Sequence, residues 1–157
     1  MDKYQPILPH NSPMQVALAQ AQNAIKKGEV PVGAIIINTV NKQIIAQTFN
    51  RVEETNDPTA HAELLAIRDA TSILGQKQLK ICDMYVTLEP CTMCAAAISL
   101  ARLRRVYFAA YDSKSGGIEH GAKFFQQHTC HYRPEVIGGL HENESTKLLK
   151  NFFKGKR

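Results

Sequence analysis

Apolar positions along the chain follow two alternating rhythms. Between Ser12 and Gly28, the residues Met14, Leu18, Ala21 and Ile25 recur every three or four positions, as on one face of a helix. Ser12, Pro13 and Gln15 open this stretch as a capping box with proline at the first helical position, and Gly28 closes it. The rhythm then changes. "VPVGAIIIN" and "KQIIAQTFN" are β-branched runs separated by "TVN", which predicts a hairpin. "RVEETND" is mostly polar and reads as a loop. Asp57–Pro58 then signals a second helix running to Gly75. "DMYVTLE" predicts a third strand, "CTMCAAAISLAR" a helix rich in small residues, and "RRVYFAAY" a fourth strand. After the loop "DSKSGGIEHG" come a helical turn at "KFFQQ", a weak fifth strand at "EVIGGL" and an amphipathic tail. Leu148, Leu149, Phe152 and Phe153 share one side of that tail. Helices alternating with strands predict a layered α/β sheet.

Nothing in the 157 residues divides this pattern: there is no repeat, low-complexity tract or linker, so residues 1–157 are expected to form one domain. A chain of this size buries about 68–70% of its unfolded surface and folds without disulfides. The opening "MDKYQPILPHNSPM" lacks the apolar run of a secretory leader, and no apolar stretch is long enough for a membrane span. A cytoplasmic protein is the expectation. The net charge of +5 permits a nucleic-acid partner without requiring one.

Four cysteines change the picture. Cys91 and Cys94 form a C-x-x-C pair at a strand-to-helix junction, where the helix start favours thiolate and two sulfurs can bind one Zn²⁺. His61 and Glu63 sit at the start of another helix. On a regular helix they would point about 200° apart, so they do not share a face. If the two strand–helix units are neighbours, both helix starts meet at one edge of the sheet. His61, Cys91 and Cys94 then supply three ligands, leaving a position for water, and Glu63 is free to move protons.

"HAE", 26 further residues, then "PCTMC" resembles the signature of the zinc-dependent cytidine and nucleobase deaminase superfamily, and the roles above come with that signature. The resemblance extends over "GEVPVGAIII", "FNR", "DPTAHAE", "YVTLEPCTMCAAAI", "RRVYFAAYDSKSG", "RPEVIGG" and "LLKNFFK", all similar to the bacterial tRNA-specific adenosine deaminases. It implies a three-layer α-β-α fold around a mixed five-stranded sheet, with one Zn²⁺ per subunit held by His61, Cys91 and Cys94. It implies zinc-bound hydroxide as nucleophile, Glu63 as proton shuttle, a homodimer, and a tRNA anticodon stem-loop as substrate, with wobble adenosine converted to inosine. Asn50 would hydrogen-bond the flipped base, Asp112 would lie near the RNA backbone, and main chain around Ala62 and Pro90 would line the pocket. The chain departs from the family at Tyr111, which stands where a basic residue is frequent, at "KSGG" where "KTGA" is common, and at Phe49 where tryptophan often precedes the asparagine.

Other readings of the same residues exist. Cys91 and Cys94 could be a redox pair, and Glu63 a favourable acid in a first helical turn. Cys82 or Cys130 could add a fourth ligand, although both suit the core. His120, His128, His131 and His141 could form a second metal site but read better as loop residues. Lys150, Lys154, Lys156 and Arg157 suit either a solvated face or an RNA stem contact. Two competing functions follow: a guanine or cytosine deaminase acting on free bases or nucleosides, and a non-catalytic zinc-stabilised RNA-binding subunit.

Overall fold

The computed structural model describes residues 12–156. The start of the chain, from which the absence of a leader was read, and Arg157 lie outside the described residues. In chain order the elements are α1 (Pro13–Lys26), β1 (Gly33–Asn38), β2 (Ile44–Phe49), α2 (Val52–Thr55), α3 (Ala62–Leu74), β3 (Cys82–Leu88), α4 (Thr92–Ala101), β4 (Arg105–Ala110), β5 (Glu135–Gly138) and α5 (Glu142–Lys154). The strands form one sheet in the order β2-β1-β3-β4-β5. β1 pairs antiparallel with β2 and β3, whereas β3, β4 and β5 run parallel. The fold is the expected α-β-α sandwich around a mixed sheet.

One layer is α1 with α5, and the other is α3 with α4. Ala34, Ile36, Met84, Val86, Val106 and Phe108 meet Ala62, Ala66, Ala95 and Ile98 on one face. Met14, Ala17, Leu18, Ile35, Ile37 and Ala109 fill the other. β1 is flanked by β2 and β3 and covered on both faces, which is why "GAIII" is an unbroken apolar run and not an alternating one. At Gly33 a Cβ would collide with the Ala17 carbonyl and the Ala21 nitrogen, so glycine allows the α1 backbone to lie directly on β1.

The predicted capping box is present: Ser12 Oγ accepts from Gln15 N–H at 3.2 Å, and Gln15 Oε1 accepts from Ser12 N–H at 3.0 Å. Ile25, predicted on the buried face, is 39% exposed; Ala17, Ala21 and Ala24 make the contact, because small side chains suit this close approach. The "RVEETND" segment is not all loop. It contains α2, whose Glu53 and Glu54 N–H groups donate to the buried Glu29 carboxylate, both at 2.9 Å. The next helix begins at Ala62, not at Asp57–Pro58. Asp57 Oδ1 instead takes the Thr59 N–H (2.8 Å) and hydroxyl (2.6 Å), closing a turn ahead of it.

The strand directions concentrate chemistry at one end of the sheet. β1 enters there, and β2, β3 and β4 exit there. Asn50, Glu89 and Tyr111 therefore follow strand ends on a common side, as do the starts of α3 and α4.

Candidate metal centre

His61 is the N-cap of α3, with extended backbone at φ −76° and ψ 148°, and Cys91 is the N-cap of α4 in a similar conformation (φ −69°, ψ 172°). Neither caps its helix with its side chain, because both side chains turn toward each other. His61 Nδ1 lies 3.6 Å from Cys91 Sγ and 3.6 Å from Cys94 Sγ, and the three donor atoms all fall within 4.8 Å. Nitrogen and sulfur bound to one tetrahedral Zn²⁺ at their usual bond lengths stand about 3.6 Å apart, so the donor set fits zinc. The Cys91 sulfur beside it, with the Glu63 carboxylate, raises the His61 imidazole above its ordinary value against the effect of burial.

A hydrogen bond from Cys94 brings the Cys91 thiol down to about 4, and the same shared proton raises Cys94. A divalent cation bound by these residues would take the place of that proton, with both cysteines held as thiolates. Glu63, the second residue of α3, is buried but borders the same space. Burial pushes its carboxyl up to about 7. His61 has extended backbone and Glu63 is helical, so the two are not related by rotation along one helix, and both border the cleft.

These residues open into a cleft of about 770 Å³ whose lining includes Glu29, Val32, Asn50, His61, Glu63, Leu88, Cys91, Asp112, Ser115, Phe152, Phe153 and Lys156. Asn50 is buried, and its Oδ1 accepts from Ala62 N–H at 2.8 Å. No buried side-chain N or O among the described residues lacks a partner. The Asn50 amide NH₂, with no protein acceptor, is thus directed at the cleft. Main chain at Ala62 and Pro90 is engaged internally: Ala62 N–H by Asn50, Ala62 C=O by the Thr48 hydroxyl at 2.7 Å, and Pro90 C=O by Gly117 N–H at 2.8 Å. Neither residue lines the cleft itself, whereas their neighbours His61, Glu63, Glu89 and Cys91 do. Asp112 stands at the rim, with Oδ1 accepting from the N–H groups of Lys114 (3.1 Å) and Ser115 (2.9 Å).

Other sequence candidates lie elsewhere. The described residues contain no second cluster of metal-ligating side chains. His120 bonds Glu89 and His141 bonds Glu144, while Cys82 and Cys130 are buried free thiols apart from the triad. Sequence reasoning missed two buried acids at the cleft, Glu29 and Glu89. Burial alone would raise the Glu89 carboxyl, but the His120 bond and several backbone N–H groups outweigh it and hold the group below its ordinary value. The signal available for Glu89 was its place between an apolar strand and the proline of "PCTMC".

The profile of the cytidine and deoxycytidylate deaminase zinc-binding region matches residues 9–110. A tRNA-specific adenosine deaminase of Agrobacterium fabrum is 51% identical over 144 residues, covering 92% of this chain and 93% of that protein. A solved structure from a study of A-to-I editing by tRNA:A34 deaminases superposes with a TM-score of 0.84 at 51% identity, covering 87% of this chain and 98% of the other. A guanine deaminase from Nitrosomonas europaea shares the fold alone, with a TM-score of 0.81 at 20% identity over 96% of this chain and 88% of that one. With its donor triad, buried glutamate and close relatives, this chain belongs to the zinc-dependent cytidine and deoxycytidylate deaminase family, on the branch of the tRNA-specific adenosine deaminases.

Proposed function

We propose that the protein hydrolyses the wobble adenosine of a tRNA anticodon to inosine, releasing ammonia. The observation that carries this reading is the buried Glu63 beside the His61–Cys91–Cys94 donor set, at the floor of a cleft that admits a nucleobase. The name of the 51% identical relative supports adenosine in tRNA as the substrate. His61, Cys91 and Cys94 are the zinc ligands. Zinc held there supplies Lewis acidity that makes water a competent nucleophile at neutral pH.

The protein's own groups do the rest. Glu63 takes a proton from the attacking water and passes it to adenine N1 as the C6–O bond forms, then takes the remaining hydroxyl proton at C6 and passes it to the amino nitrogen as the C6–N bond breaks and ammonia leaves. A carboxyl shifted toward neutrality suits both duties. The Asn50 NH₂ donates to the flipped base. Ala62 and Pro90 back the pocket wall, and Asp112 shapes the rim loop near the RNA backbone. Lys156, Phe152 and Phe153 extend the cleft toward the flanking RNA.

The working protein is a homodimer joined through α4. Met93, Ala96 and Ala97 are partly exposed on that helix and Leu100 is 81% exposed, an apolar stripe at helical spacing. The protein acts in the cytoplasm. Four free cysteines suit a reducing compartment, and no helix among the described residues is long and apolar enough to cross a membrane.

The test is kcat/KM on an anticodon stem-loop and on free adenosine, cytidine and guanine at two salt concentrations. Unstacking the base costs a few kcal/mol. Phosphate contacts in the RNA offset this, and free adenosine has none. Activity on the stem-loop should greatly exceed that on adenosine and fall with salt, with a log–log slope near −0.7 per phosphate contact. Comparable efficiency on a free base or nucleoside would move the protein to the small-molecule deaminases. No turnover of any substrate would make it an inert subunit.

A further inference from the structure

Between β4 and the 3₁₀ turn at Phe124–Gln126, the Asp112–Gly121 loop has no helical or strand ladder of its own. Its backbone N–H groups therefore need partners from elsewhere. Lys114 and Ser115 donate to Asp112 Oδ1, Gly116 to the Asp112 carbonyl and Gly117 to the Pro90 carbonyl. Four others go to one side chain. Asp112 N–H donates to Glu89 Oε1 at 3.1 Å. Ile118, Glu119 and His120 N–H donate to Glu89 Oε2 at 3.2, 3.0 and 3.2 Å. His120 Nδ1 adds a fifth contact, 2.8 Å from Oε1. The loop lies flat on this carboxylate: a Cβ at Gly116 would overlap Glu89 Oε2 and the Asp112 carbonyl, and one at Gly117 would overlap the Thr92 backbone.

We propose that Glu89 is a positioning residue for substrate, whose carboxylate clamps the Asp112–His120 loop against the start of α4 and so fixes the Asp112–Ser115 rim of the cleft. Glu89 touches no reacting atom. It acts through the loop, joining the rim directly to the segment that presents Cys91. Only a carboxylate fits the position. Backbone N–H groups donate to both oxygens, and glutamine would turn its NH₂ toward at least one of them. The inference rests on the proposed function only for the identity of the substrate.

The experiment uses zinc-loaded Glu89→Gln and Gly116→Ala proteins. The first removes an acceptor, and the second pushes the loop off the same oxygen. Amide hydrogen exchange is followed at Asp112, Ile118, Glu119 and His120, alongside zinc content, Tm, KM and kcat. Exchange at these amides should accelerate about 10- to 100-fold, the equivalent of one unpaired buried donor. KM should rise about fivefold or more as the competent loop conformation is depleted. Zinc stoichiometry should hold, and kcat should fall much less than KM rises. A general loss of stability would instead accelerate exchange throughout the core and lower Tm without separating KM from kcat. Unchanged exchange in the loop overturns the proposal, as does lost zinc or a fall in kcat at constant KM. If Glu89→Gln does not fold, Gly116→Ala decides alone by the same criteria. If the parent enzyme turns over free bases but not RNA, the proposed function fails. KM for that base, with the amide exchange, then still decides for or against the clamp.

Discussion

Replacing Asn50 by alanine tests how the site is held together. His61 occupies the N-cap of α3 but makes no capping bond, since its ring faces Cys91 and Cys94. Asn50, twelve residues earlier at the end of β2, delivers the missing oxygen to the Ala62 N–H at 2.8 Å. Alanine leaves that N–H buried and unpaired, at a cost of about 1–3 kcal/mol, which overlaps the range of about 0.5–2 kcal/mol for a lost N-cap. For a chain of this size, Tm should fall by roughly 2–12 °C, and the urea midpoint should move by an amount on the order of 1 M. Urea unfolding at fixed excess zinc reads the effect. Gln47→Ala, on the exposed side of the same strand, is the control and should stay within about 0.5 kcal/mol. Zinc affinity should weaken too, because the same bond sets the start of the helix next to His61. Activity lost beyond the unfolded fraction measures the Asn50 NH₂ on the substrate. A midpoint for Asn50→Ala equal to that of the control would refute the idea that a remote side chain caps α3.

Elemental analysis should find one zinc per chain, and a Cys91→Ser/Cys94→Ser double variant should lose it; iron in place of zinc, or zinc kept by the double variant, would sink the assignment. Glu63→Ala should retain zinc and fold yet lose about 10²–10⁴-fold in kcat, and a loss below about tenfold would pass the proton transfers to another group. Light scattering of the parent at micromolar concentration should give a dimer, and Leu100→Arg should shift it toward the monomer without unfolding it. A parent of only 17.5 kDa would remove the dimer.

What the sequence disclosed depended on how local each interaction is. The Ser12–Gln15 capping box spans four residues and was legible down to its two bonds. The metal triad was legible because ligand chemistry restricts residue type and spacing, and because helix starts follow strand ends. The start of α3 was misplaced by four residues: Asp57–Pro58 has the composition of a helix start, but the Asp57 side chain closes a turn instead. Helix α2 was illegible, since "VEET" has no apolar face and its leading N–H groups depend on Glu29, more than twenty residues away. Glu89 was hidden for the same reason. Its burial comes from a loop that returns to it more than twenty residues later, and the sequence around it shows only one acid beside a proline.

The polarity of the sheet also matters for engineering. The β1–β2 turn at Thr39–Lys42 lies at the end opposite the cleft, and Val40 there is 77% exposed. The close of α5 lies at the opposite extreme, with Phe152, Phe153 and Lys156 bordering the cleft itself. A reporter, affinity handle or guiding module attached after α5 would hang over the entrance and compete with a bulky nucleic acid. The same cargo spliced into the Thr39–Lys42 turn would leave the entrance clear, with the full length of the strands between it and the chemistry.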